Sequence, residues 1–228
     1  MCFSPTASFA AAAVTAAAGS VAVRRCTTWR QVPLATMPFI FAAQQTIEGG
    51  IWLGLQHIVS NSAQQALTTL FMFLALTVWP VLTPSAAALI EEDRSRQRVQ
   101  ILLAVAGLGA AIYGGLDLLR HPYKASIAGS SICYVNQIVF PAPAAGAYFL
   151  AIALPLLISG HPPVQRFGLI ITTGMIVSFA FYFAAFVSVW CFFAALGSVA
   201  LCYVFQDAPL TGSGKDTSRA ALSLRNPR

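Results

Sequence analysis

Apolar runs of about 20 residues recur along almost the whole chain, parted by short polar stretches. Their spacing predicts helices over Pro5–Val23, Pro33–Gln56, Gln64–Ile90, Val99–Arg120 and Pro143–Ser159. The stretch 167–205 then runs 39 residues without a charge. As one helix it would be about 58 Å long, against a hydrocarbon core of about 30 Å. It must break, and the aromatic cluster at Phe183–Ser188 is the expected place. The pattern predicts an all-α integral membrane bundle of seven transmembrane helices. Residues 1–206 form a single domain, and residues 207–228 a polar, disordered cytoplasmic tail.

Composition agrees. The chain is 57% hydrophobic and 9% charged, where soluble domains carry about 25% charged residues. The net charge of +6 reads as topology, because the basic residues cluster in the breaks between apolar runs. Eleven of the 13 Lys and Arg residues fall on one side if the chain alternates through seven spans. By the positive-inside rule the amino terminus is then outside and the carboxyl terminus inside. No basic residue precedes the first apolar run, and Arg24 and Arg25 follow it. That is the charge order of a span entering from outside, not of a secretory leader.

Polar residues inside the spans mark where chemistry could sit. Glu48 lies in Gln44-Gln45-Thr46-Ile47-Glu48-Gly49-Gly50-Ile51-Trp52, where Gln44, Glu48 and Trp52 share a helix face. Gly49 and Gly50 admit close neighbours. Asp117 lies within a turn of the outer end of its span, next to His121 and Tyr123. The long loop 121–142 adds Cys133, Tyr134, Asn136 and Gln137. The expectation is an outward-facing polar pocket formed by Gln45, Glu48, Trp52, Asp117 and His121 and roofed by that loop. It would bind or transport a small ligand or ion. Two alternatives stand beside it: a metal-dependent enzyme at the outer face, drawing on His57, His121, Glu48, Asp117, Cys133 and Cys191, or a structural or partner-binding protein whose polar groups only join helices.

Other features weigh less. Pro80 and Pro84 should kink the third span, and neighbouring helices can serve the carbonyls they free. Glu91–Arg98 reads as a solvated helix end, and Cys2–Cys133 as a candidate outer disulfide. Both lysines, Lys124 and Lys215, lie in loops, which excludes a retinal Schiff base in the last span. The three histidines lie at span ends, which excludes a diheme carrier, and no phosphate loop or nucleophile elbow occurs. The sequence names no cofactor and sets no oligomeric state. Its expected partners are the lipid bilayer and that small ligand or ion, without nucleic acid.

The opening Met-Cys-Phe-Ser-x-x-Ala-Ser-Phe, the Gln44-Gln45-x-x-Glu48-Gly49-x-x-Trp52 segment and Trp190-Cys191-Phe192-Phe193-Ala194-Ala195 carry a resemblance. Together they resemble a family of bacterial multi-pass membrane proteins with no assigned function. The resemblance spans the first to the seventh predicted helix and implies a plasma-membrane location, with no reaction or ligand to carry over.

Overall fold

The computed structural model describes residues 4–136 and 142–204. Cys2, Gln137 and the tail 207–228 lie outside them, and with them the expected disulfide partner and the tail.

Seven helical rods make up the bundle. The first is α1 (Pro5–Arg24), capped by the Ser4 hydroxyl, and a 3₁₀ turn then leads into α2 (Val32–Leu55). The third rod runs unbroken from Asn61 to Ile90. It comprises α3 (Asn61–Phe73), a π-helical turn (Leu74–Val78) and α4 (Trp79–Ile90). Then follow α5 (Arg94–Arg120), α6 (Ala142–Leu157) and α7 (Pro162–Phe181). The last rod holds α8 (Phe186–Ser198) and the short α9 (Leu201–Val204). The long uncharged stretch breaks at Tyr182, one residue before the expected window. Among the described residues, five stretches are long and apolar enough to cross a membrane, and α6 is a shorter apolar helix. Helix α2, with its glutamines and Glu48, is not among the five.

The architecture is not purely helical. Between α5 and α6, where a loop was expected, Lys124–Ala128 (β1) pairs antiparallel with Ser131–Val135 (β2). Gly129 takes φ +61° in the two-residue turn, the position where a tight hairpin turn needs a residue without Cβ. The Glu91–Arg98 stretch also departs from expectation. The helix stops at Ile90 and restarts at Arg94 under an Asp93 cap. Glu91 is buried rather than solvated.

Proline chemistry explains the third rod. Pro80 has no N–H for Ala75, its i−5 carbonyl across the π turn. The Tyr148 hydroxyl of α6 donates to that carbonyl instead, at 2.7 Å. Pro84 likewise leaves the Pro80 carbonyl without its i−4 donor. There α5 presents Gly107, whose missing Cβ would strike that same oxygen. The freed carbonyls are thus covered by neighbouring helices, as the prolines predict.

Close approaches also fix α1 against α2. The Phe9 ring seats on Gly49, and the Phe39 ring on Gly19. Gly50 receives Leu67 of α3 in the same way. The exterior is apolar: Leu102, Val105 and Leu119 of α5 and Ile176 of α7 are all more than half exposed. The interior instead encloses Ser8, Gln44, Gln45, Glu48 and Gln100 at 0% exposure. Such a surface suits lipid rather than water.

Candidate functional site

Glu48 lies on α2 in the half next to the β-hairpin, wholly enclosed. Its Oε2 accepts from Gln45 Nε2 and its Oε1 from the Tyr134 hydroxyl of β2, each at 3.3 Å. Both partners are neutral. On the same helix, Gln45 Oε1 and Trp52 Nε1 are buried polar atoms that have no hydrogen-bond partner.

Gln44, one position before Gln45, faces elsewhere. Its Oε1 accepts from Trp79 Nε1 at 2.9 Å, and its Nε2 reaches Cys191 Sγ at 3.3 Å. It thereby joins α2, α4 and α8. Beyond it, toward the Arg-rich end, lies a cavity of about 30 Å³. Phe41, Trp79, Tyr148, Trp190 and Cys191 help line it, and Glu48 does not.

Asp117 forms a second cluster. Its Oδ1 pairs with His121 Nδ1 at 3.0 Å. Its Oδ2 accepts from Asn136 Nδ2 at 2.9 Å and from the Tyr123 hydroxyl at 3.4 Å. Burial, and then the neighbouring Asp117 charge, push the Tyr123 phenol well above its usual range, so it stays a donor. Gln65 of α3 holds the Tyr123 carbonyl at 2.9 Å.

The two acids therefore meet the hairpin segment two residues apart, Glu48 at Tyr134 and Asp117 at Asn136. The hairpin closes on Glu48: Tyr134 sits directly on the carboxylate. Gln45, Glu48 and Trp52 are enclosed beneath it. Asp117 is nearly buried and His121 about one-third exposed.

The profile of a family of unknown function, DUF6629, matches residues 1–214. The chain belongs to DUF6629. No curated protein and no solved structure matches it. The DUF6629 match takes in both acids, the hairpin and every partner named above, and it brings no activity with it.

Some DUF6629 residues have work other than the expected one. His57 takes φ +61° at the end of α2. Its N–H donates to Gly54 O and that of Ile58 to Leu53 O, the paired bonds of a Schellman cap. Its backbone forms a left-handed helix cap. Cys26, Cys133, Cys191 and Cys202 are free thiols. Burial raises the Cys133 thiol, which donates to Ala184 O. Among the described residues no three His, Cys, Asp or Glu side chains gather to hold a metal, so the metal-enzyme alternative finds no centre in them.

Sequence reasoning missed one site. Glu91 Oε2 accepts from Gly160 N at 2.7 Å and faces Gln100 Nε2 at 3.5 Å, while Oε1 accepts from Asp93 N at 3.3 Å. His161 Nε2 lies 2.9 Å from Ile90 O. This latch ties the α4–α5 and α6–α7 connections together. Its sequence sign was Glu91 standing directly after an apolar helix, which the flanking charges disguised.

Proposed function

We propose that this DUF6629 protein is a seven-span plasma-membrane protein of bacterial type, amino terminus outside and carboxyl terminus inside. In this reading it takes a small ligand or ion from outside at Glu48, and the hairpin is the lid over that site. One observation carries it: a wholly enclosed carboxylate in the bundle, bonded to neutral groups, one of them on a hairpin outside the helices. An acid placed so is costly unless it serves a passing charge or polar group. Support for the topology comes from Arg24, Arg25, Arg30, Arg94, Arg96, Arg98 and Arg166, all next to the helix ends away from the hairpin. Exposed Phe181 and Phe183 on the hairpin side, and exposed Trp29 under the Arg30 guanidinium on the other, suit the two interfaces of a bilayer.

A second reading rests on Gln44. Its bonds to Trp79 and Cys191 have the form of interhelical glue, and Glu48 could be more of the same. Dicyclohexylcarbodiimide, an apolar reagent for protonatable buried carboxyls, separates the two. The lid reading expects labelling at Glu48, read by peptide mass spectrometry, and faster labelling in Tyr134→Ala. Glu48 that stays unlabelled in both proteins would leave only the glue.

A further inference from the structure

We propose that the groove between α3 and α5 seats an acyl chain of an anionic phospholipid, with Arg120 and Lys124 holding its headgroup phosphate. The site lies apart from Glu48 and does not depend on it.

The groove follows from the shape of the third rod. On one side of it the rod and α5 approach closely. A Cβ at Gly107 would strike the Pro80 carbonyl oxygen, and one at Gly114 would meet Leu76 at 3.1 Å. Leu76 belongs to the π turn. Beyond that turn, toward the hairpin, a groove of about 670 Å³ opens between the two helices. Leu70 and Phe73 of α3 form one wall, and Ile112, Leu116 and Leu119 of α5 the other. All five are more than two-fifths exposed. Thr69 also lines the groove, but its hydroxyl is taken up by the Gln65 carbonyl at 3.0 Å. Such walls suit a hydrocarbon chain, which needs no hydrogen bond.

Positive charge stands at the hairpin end of the groove. Arg120 follows Ile112 and Leu116 at i+8 and i+4, so it shares their helix face one turn further on. Lys124 comes to the α3 side, because the Gln65 amide of α3 donates to the carbonyl of the preceding Tyr123 at 2.9 Å. Both basic residues are exposed, and among the described residues neither has an ion-pair partner. Asp117, the nearest acid in the sequence, is engaged by His121, Asn136 and Tyr123. Two unneutralised cations at the level of the lipid headgroups attract an anionic one. A zwitterionic lipid brings its own positive group and gains less. A second copy of the chain suits this face less well. A two-fold dimer within one membrane would bring Arg120 and Lys124 toward their own counterparts at the same depth, like charge against like.

Delipidated full-length protein in detergent tests this by native mass spectrometry, with phosphatidylglycerol or phosphatidylcholine of identical chains. Phosphatidylglycerol should bind at least about tenfold more tightly than phosphatidylcholine. Arg120→Gln combined with Lys124→Gln should remove that preference. Thr69→Phe, which fills the groove from an exposed position, should weaken the binding of both lipids. Phosphatidylglycerol with a photoreactive diazirine on its chain should crosslink to α3 and to the last turns of α5. This crosslink is read on the wild type, so it decides even if a variant fails to fold. Equal affinity for the two lipids overturns the headgroup assignment and the proposal with it. Crosslinks confined to other helices overturn the groove. A lipid-free dimer that Thr69→Phe dissociates would seat a second copy there and reject the lipid.

Discussion

Glu91 shows how much one side chain can join. It is buried and holds the N–H groups of Gly160 and Asp93 and the Gln100 amide across two interhelical connections. Glu91→Ala should cost about 2–3 kcal/mol, because buried donors lose a charged acceptor; unfolding in detergent reads this, and Glu91→Gln should recover part of it. His57 offers the opposite sign. It holds φ +61°, a strained conformation for a side chain but not for glycine. His57→Gly should stabilise the protein by about 1 kcal/mol and leave Glu48 labelling unchanged. Cys133 gives a pH signature. Burial raises its thiol above the usual range, so the reactive thiolate forms at higher pH than in a free thiol. Its alkylation should lag that of a free thiol at neutral pH and rise later with pH.

At the scale of the element, the third rod and the hairpin differ in how they could be read. Pro80 and Pro84 announce a disturbed helix, and they announce that other helices must cover the freed carbonyls. Which helices do so is a matter of packing: Tyr148 of α6 at Ala75 and Gly107 of α5 at Pro80. Tyr148→Phe should therefore cost about 1–3 kcal/mol, the price of a buried carbonyl left bare. Gly107→Ala should cost more, since its methyl meets backbone rather than a movable side chain. The hairpin carried a usable sign in Gly129-Ser130 between short runs containing Ile127 and Ile132–Val135. Length and polarity alone made the segment look like a loop.

For the whole molecule, the charge distribution makes the testable statement. If the Arg-rich end is cytoplasmic, Lys124→Cys is labelled by a membrane-impermeant maleimide in intact cells. Arg98→Cys is labelled only after permeabilisation. The reverse pattern would invert the topology and place Glu48 nearer the cytoplasm. The inverted polarity of the molecule, Leu119 outside and Gln44 inside, also predicts aggregation once detergent is withdrawn.

The sequence by itself determined the seven rods, the break near Tyr182, the small residues for close helix contact and the identity of Glu48 and Asp117 as the acids within apolar spans. These follow from local rules: span length, helical period and the cost of a charge in an apolar helix. It also placed Tyr134 and Asn136 in the segment above the acids. Only the tertiary structure decided which groups meet. Gln45 and not Gln44 turns to Glu48, Tyr134 closes on it from 86 residues away, and Glu91 turns inward to Gly160. Hydrogen-bond partners between distant segments depend on how helices rotate and slide against one another. That is set by contacts such as Phe9 on Gly49 and Gly107 against Pro80, which no single stretch of sequence contains.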